Sequence, residues 1–287
     1  MTYREAYNIG VARLEASLPE NPDRKLDARL LLEASCGTDY QTLLADGNER
    51  LVTDEEFRRY ETMLERRSGH EPVAYILGAQ DFMGLPFFVT RDVLIPNQDT
   101  ENLVEEAMKE VHAGMRILDL CTGSGCILLS LLHYSADTTG VGTDLSAAAL
   151  RVAAENGGRL GLSDRAVWKQ GDLYEALAGA ESSLKFDLIV SNPPYIPTAV
   201  IGTLMPEVAE MEPRMALDGG EDGLSFYRRI LAGARDVLKI GGVLMMETGF
   251  DEAADVASMM RQSGFLDLQI IRDYGGQDRI VRGELGL

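Results

Sequence analysis

Histidine, cysteine and tryptophan are scarce in this chain, and basic charge is in deficit. Its 287 residues include three histidines, three cysteines and one tryptophan, and 27 lysines and arginines stand against 46 aspartates and glutamates, a formal net charge of −19. Cys36, Cys121 and Cys126 are odd in number and form no C-x-x-C pair, and His70, His112 and His133 are scattered. Neither a metal site nor a disulfide framework is expected, and reduced thiols fit a cytoplasmic protein. A surface that grips nucleic acid without sequence preference needs cations to displace condensed counterions. The charge balance counts against that role for the whole chain, although a local basic patch is compatible with it. The apolar runs are short, Cys126 to Leu132 being among the longest, and fall far below the roughly 20 residues that span a bilayer. The first ten residues, MTYREAYNIG, lack a charged start followed by an apolar segment, so no signal peptide is expected.

What is present is the composition of a protein that buries a core, with 45% apolar and 25% charged residues and a length that suggests about two domains. Residues 1–75 read as helical. Apolar side chains recur at helical spacing in Tyr7, Val11, Leu14 and Leu18, and again in Leu26, Ala28, Leu30, Leu31 and Leu32, with Pro19 and Pro22 between the two helices. Thr53 and Glu56 are placed to form a capping box ahead of Phe57, Tyr60, Met63 and Leu64. Residues 76–98 are rich in β-formers and turn near Met83-Gly84-Leu85-Pro86, which predicts a two-stranded hairpin linking domains. From residue 99 short apolar strands alternate with helices: Met115–Leu120, Gly140–Asp144, Ala166–Asp172, Phe186–Asn192 and Gly241–Glu247. Two strands near Leu268–Ile271 and Arg279–Arg282 follow, joined by a turn at Tyr274-Gly275-Gly276. This pattern predicts a doubly wound, mostly parallel α/β sheet of seven strands ending in an antiparallel pair.

Ligands of such sheets lie beyond the carboxyl ends of the strands. There the chain reads LDLCTGSGC, with Asp119 near the end of the first strand and Gly123 and Gly125 in the turn. Glycines let the backbone approach a ligand, and the following helix offers free N–H groups to an anionic one. The third glycine of the dinucleotide fingerprint is missing, which weakens a nicotinamide reading. A loop for S-adenosylmethionine fits better, with Asp144 at the end of the second strand to accept the ribose hydroxyls. Asp172 and Leu173 follow the third strand where an adenine ring would lie. Each acid alone is equally well explained as a helix cap or a solvated strand end; their convergence with a glycine loop at one sheet edge favours the ligand.

The fourth strand, FDLIVS, runs into Asn192-Pro193-Pro194-Tyr195. The prolines end a strand for want of an N–H, and asparagine begins turns, so punctuation alone would account for them. The same residues can hold a planar nitrogen. The Asn192 side-chain carbonyl and a backbone carbonyl of Pro193-Pro194 each accept one N–H, and Tyr195 can stack on the planar group.

Asn-Pro-Pro-Tyr after strand four, with a glycine loop after strand one, resembles the methyltransferases that alkylate planar nitrogen in DNA adenine, ribosomal RNA guanine or protein glutamine. The motif does not separate these. DARLLL (27–32), EPVAYILGAQDFMGLPFFVTRDVLIP (71–96), DTENLV (99–104), ALDGGEDGLSFYRRI (216–230) and RDYGGQDR (272–279) extend the likeness over nearly the whole chain. Together they resemble the release factor glutamine methyltransferases, the PrmC/HemK family. The resemblance implies a Rossmann-like methyltransferase domain at 99–287, a β-hairpin linker at 76–98 and a helical substrate-docking domain at 1–75. It implies methyl transfer from S-adenosyl-L-methionine to the glutamine amide of the Gly-Gly-Gln motif of peptide-chain release factors, acting in translation termination. It further implies Asn192, Pro193, Pro194 and Tyr195 as catalytic residues. The cofactor would meet Cys121, Thr122, Gly123, Ser124, Gly125, Asp144, Asp172, Leu173 and Asn192. A cytoplasmic monomer that engages neither nucleic acid nor membrane is expected. A nucleic-acid N-methyltransferase and a non-catalytic binding module with the same fold are the alternatives.

Two departures stand out. Cys121 occupies the first glycine of the family's Gly-Thr-Gly-x-Gly loop, which is strained if that position needs a positive φ and otherwise only narrows the space beside it. Asn97 and Gln98 replace the arginine and proline of the family's IPRPDTE. Gly275-Gly276-Gln277 spells the substrate motif within the enzyme's own sequence and is read as a turn.

Overall fold

The computed structural model describes residues 1–178 and 185–287, and the chain forms two compact units. The first comprises Met1–Ala79 together with Met205–Met211, the second Gln80–Leu204 with Glu212–Leu287. Among the described residues no helix is long and apolar enough to cross a membrane.

The first unit holds α1 (Tyr3–Ser17), α2 (Arg24–Cys36), α3 (Tyr40–Asp46), α4 (Asp54–Ser68) and α5 (Val73–Leu77). Thr2 and Thr53 each form a capping box, with Glu5 and Glu56, satisfying N–H groups that the helices leave free. In α1 the buried stripe is Tyr3, Ala6, Gly10 and Leu14. Tyr7 and Val11, expected on that face, lie at its edge and are only partly buried. Leu26 is exposed. Tyr60 is fully buried in α4 and donates its hydroxyl to the Ala28 carbonyl of α2 at 2.9 Å, as a tyrosine inside a core must. The segment Met205–Met211 carries Glu207, which accepts from Arg67 at 3.1 Å, while Arg67 also reaches Asp27 at 2.8 Å.

The hairpin β1 (Ala79–Phe82) and β2 (Leu85–Phe88) belongs to the second unit from Gln80 onward. Phe82, Leu85 and Phe87 enter the core of this unit, and Asn156 holds the hairpin by exchanging hydrogen bonds with Phe88, 2.7 Å to its N–H and 3.0 Å to its carbonyl. There follow α6 (Gln98–Glu110), β3 (Arg116–Leu120), α7 (Cys126–Tyr134), β4 (Thr139–Asp144), α8 (Ala147–Arg159), β5 (Ala166–Gln170), a 3₁₀ turn (Leu173–Leu177) and β6 (Phe186–Ser191). The chain continues through β7 (Ile196–Pro197), α9 (Pro206–Ala209), α10 (Arg214–Leu217) and β8 (Asp218–Gly220). It ends with α11 (Ser225–Val237), β9 (Leu238–Glu247), α12 (Ala253–Gln262), β10 (Phe265–Arg272) and β11 (Asp278–Leu285). Gly275-Gly276-Gln277 lies in the turn between the last two strands.

Seven strands form one sheet in the order β10-β11-β9-β6-β3-β4-β5. β9, β6, β3, β4 and β5 are parallel, and β11 runs antiparallel to both its neighbours. Ile117 and Leu118 pack into separate cores on the two faces, which is why the strands read as continuous apolar runs. In the register Leu120 lies between Thr143 and Ser191. The residues that follow those three strand ends therefore meet at one point, where the connections leave to opposite sides of the sheet.

Candidate active site

The loop after β3 is shaped from beneath. Asp119 is fully buried and accepts the Thr122 hydroxyl at 2.5 Å. It shares a strand face with Ile117 rather than opening to the strand ends, so it supports the loop instead of joining the other acids at its surface. Burial pushes its carboxyl up to about 7. The Thr122 N–H bonds the Thr143 carbonyl at 2.9 Å, and Asn156 donates to the Ser124 carbonyl at 2.9 Å. Gly123 and Gly125 have φ of +55° and +79°, and Gly125 caps α7. Cys121 has φ of +58°, so the strained alternative holds and costs roughly 1 kcal/mol or more relative to glycine. Leu173, with φ of +51°, is a second non-glycine residue in this region at the same site.

A cavity of about 290 Å³ opens over this loop, near the lower end of the usual range for small-molecule sites. Of the expected residues, Cys121, Gly123, Ser124, Asp144, Asp172, Leu173, Asn192 and Pro194 line it; Thr122, Gly125, Pro193 and Tyr195 do not. Asp144 accepts the N–H groups of Gly123 and Ser146 at 3.0 and 2.8 Å. Each oxygen retains accepting capacity for a hydroxyl, and burial raises the carboxyl above the usual range. Asp172 lies two residues beyond β5, which ends at Gln170, and pairs with Arg229 at 2.7 Å. Phe226, Pro213 and Met215 add apolar surface to the lining.

The residues present fit S-adenosylmethionine. No atom lies within 4 Å of the Cβ position at Gly123, so a ligand can approach that backbone. Asp92, Asp144, Asp172 and Asp218 face the cavity, with Arg229 the one basic residue along the described lining. Such a field suits a sulfonium cation.

Asn192 follows β6 and donates Nδ2–H to the Thr100 hydroxyl at 3.0 Å. Among the described residues its Oδ1 has no partner. Thr100 donates in turn to Glu247 at 2.7 Å, and the Tyr195 hydroxyl stands 3.5 Å from the other oxygen of the same carboxylate. Tyr195 is thus tied to Glu247 in this structure instead of covering the cavity. Burial pushes Glu247 up to about 7. The backbone of the motif is held from behind by the short β7–β8 pairing of Ile196 with Asp218. At Gly219 and Gly223 a Cβ would come within 2.7 Å of the Tyr195 Cα and 2.5 Å of its carbonyl oxygen, respectively; only glycine admits so close an approach.

Thr100 and Glu247 escaped the sequence reading, although Glu247 ends a strand at the carboxyl edge where ligands gather. Asn97, one of the two departures, caps α6 by accepting the Thr100 N–H at 3.0 Å. It supplies local helix stability at the position where the family carries an arginine.

Two family models match the chain, a PrmC N-terminal domain over residues 5–78 and a methyltransferase domain over residues 111–274. A release factor glutamine methyltransferase of Geobacter sulfurreducens is 43% identical over 262 residues, 91% of this chain and 90% of that protein. One of Moorella thermoacetica is 43% identical over 282 residues, 97% of each chain. Among solved structures, a methyltransferase from Pyrococcus furiosus matches with a TM-score of 0.53 at 15% identity, covering 79% of this chain and 100% of that one, a likeness of fold.

Proposed function

The chain belongs to the release factor glutamine methyltransferase family, and from this premise we infer that it methylates the side-chain amide nitrogen of a glutamine in peptide-chain release factors, within the Gly-Gly-Gln motif. S-adenosyl-L-methionine supplies the electrophilic methyl group on a sulfonium. Asn192 Oδ1 and a backbone carbonyl of Pro193-Pro194 accept the two N–H groups of the substrate amide and direct its nitrogen at that methyl. The prolines bring carbonyls with no competing N–H. Asp144 receives ribose hydroxyls, Gly123 and Ser124 receive the cofactor's backbone-facing edge, and Leu173 packs on the adenine with Asp172 beside it. Cys121 narrows the site near the reacting group. Thr122 and Gly125 shape the loop from behind.

The observation that carries this assignment is the state of the Asn192 amide, whose N–H is bonded to Thr100 and whose oxygen is left for the substrate. Tyr195 serves the motif through its hydroxyl, near Glu247, and closing over the glutamine would require it to leave that partner. The helical domain, residues 1–75 in the sequence reading, docks the release factor. A net charge of −19 supports a protein substrate over nucleic acid. Three free cysteines, two of them buried, support a reducing, cytoplasmic setting, and action as a monomer is part of the same reading.

The test is incubation with S-adenosylmethionine and a release factor, followed by peptide mapping by mass spectrometry. A methyl group on the Gly-Gly-Gln glutamine is expected. Its absence with cofactor bound, or methyl incorporation into DNA or ribosomal RNA fragments instead, overturns the reading.

A further inference from the structure

We propose that Thr100 and Glu247 form a positioning pair that decides which side of the Asn192 amide meets the substrate, a role that rests on the assignment of Asn192 as acceptor. Three elements bring the groups together. Ser191 of β6 pairs with Met246 of β9, so the next residues, Asn192 and Glu247, leave adjacent strand ends side by side. Thr100 comes from the first turn of α6, 3% exposed, and Glu247 is fully buried.

The direction of the chain of hydrogen bonds follows from proton counting. An ionised carboxylate can only accept. Glu247 therefore takes the single hydroxyl proton of Thr100, at 2.7 Å. The Thr100 oxygen then has only lone pairs to offer, and Asn192 must turn its NH₂ toward it, at 3.0 Å. The amide oxygen is left on the opposite side. Without the pair, the two orientations of an asparagine amide differ little in shape, and half of the orientations would present N–H groups to a substrate that itself brings N–H groups.

Protonation of Glu247 lifts the constraint on the Thr100 proton, and with it the one on Asn192. The carboxyl becomes a donor to Thr100, and the Thr100 proton is freed toward Asn97 Oδ1, 3.2 Å away, or toward Asn192, which then turns over. The charged and titratable groups facing Glu247 are Arg279 from β11, Asp99 from α6, the Tyr195 hydroxyl, the Cys126 thiol from α7 and the Tyr227 hydroxyl from α11, which donates to the Glu247 backbone carbonyl at 2.9 Å. Arg279 is engaged by Asp99 and Asp273 at 3.2 and 3.3 Å, and among the described residues no cation lies in contact with Glu247. Burial sets its titration at about 7, so turnover should rise with pH through that value. A buried carboxylate without a paired cation is a poor choice for stability alone; it is a good one for imposing a polarity on its neighbours.

The experiment compares Thr100→Val, Thr100→Ser, Glu247→Gln and Asn192→Ala in the full-length protein, with S-adenosylmethionine and a release factor as substrates. It reads kcat, KM, the calorimetric Kd for S-adenosylmethionine and the pH profile. Thr100→Val is expected to cut kcat about 100-fold with cofactor Kd changed less than about twofold, the scale of a misoriented reactive group. Thr100→Ser should restore most of the loss. Glu247→Gln, which can donate or accept, should cut kcat roughly tenfold and flatten the pH step. The proposal is overturned if Thr100→Val keeps its turnover while Asn192→Ala has lost it. A Thr100→Val loss that serine fails to restore, or one matched by an equal loss of cofactor affinity, overturns it too. If Asn192→Ala itself keeps its turnover, the assignment of Asn192 fails and takes the proposal with it. Should Thr100→Val not fold, the pH profile decides, and a step that persists in Glu247→Gln overturns the pair.

Discussion

In the helical unit Arg67, 5% exposed, is clamped between the carboxylates of Asp27 and Glu207 at 2.8 and 3.1 Å. In the catalytic unit Asp119 and Glu247 are fully buried; Asp119 meets the Thr122 hydroxyl and Glu247 those of Thr100 and Tyr195, and among the described residues neither has a cation in contact. Both arrangements place charge where water is absent, with opposite consequences. Opposed charges in contact largely cancel each other's desolvation, and their loss is felt by the fold. Burial without a cation in contact instead pushes Asp119 and Glu247 up to about 7, against the opposing effect of their hydroxyl partners, into the range where a protonation state reports on a site. The second unit holds the first arrangement as well, at Arg282 between Glu110 and Asp267 at 2.8 and 2.9 Å, so the difference lies between two kinds of buried charge, of which only the second borders the candidate site.

The sharpest way to break this comparison is Asn192→Ala. Turnover should fall by about 100-fold to 1,000-fold with cofactor affinity within roughly threefold of the parent, because only orientation of the substrate amide is lost. Kinetics paired with calorimetry check this, and equal losses in both would put Asn192 in cofactor binding instead. Next is Arg67→Met, which removes the guanidinium from Asp27 and Glu207 and leaves them only Asn21, at 2.8 Å, and His70, at 3.7 Å, respectively. It should cost about 3 kcal/mol of stability in urea unfolding, while the Kd for S-adenosylmethionine stays unchanged.

The pH dependence of stability comes third. Asp119, Glu247 and Glu252 titrate at about 7 in the folded chain, well above ordinary carboxyls. The folded state thus holds extra protons between about pH 4 and 7, and stability falls as pH rises through that window. Without added ligand, the melting temperature should be higher at about pH 5 than at about pH 8, and Glu247→Gln should narrow the gap. An unchanged gap would show that Glu247 titrates normally. The smallest effect is expected at Cys121→Gly. Relief of the positive φ, offset by the greater freedom of unfolded glycine, should stabilise the chain by about 1 kcal/mol at most, read as a small rise in melting temperature.

Much of the fold was legible because its signals are local. The strand cores of β3, β4, β6 and β9, the Thr53 capping box and the turn before β11 each depend on a few consecutive residues. The helical periodicity of α1 was legible too: Leu14 and Leu18 are buried as expected, while Tyr7 and Val11 lie partly buried at the edge of a stripe that adds Tyr3 and Ala6, since the sequence of one helix does not say how far round it its neighbours reach. The candidate site was legible as a set of strand ends, and eight of the expected residues line one cavity. Asp119 was misjudged because alternation along β3 turns it beneath the loop.

From the amino-acid order alone came the alternation of strands and helices, the glycine loop and a terminal Asn-Pro-Pro-Tyr, all set by backbone geometry over short stretches. Whether Cys121 is strained was left open by the sequence and decided by its φ in the structure. Tertiary structure decided the rest. It put Thr100 against Glu247 across 147 residues of sequence, and Asn192 against Thr100 across 92. It ran the Gly219–Gly223 loop along the back of Tyr195 and drew Met205–Met211 into the helical unit. A hydroxyl or carboxylate carries no sign in sequence of the partner it will meet. That partner is chosen by strand order and register, which depend on how the whole sheet buries its two faces.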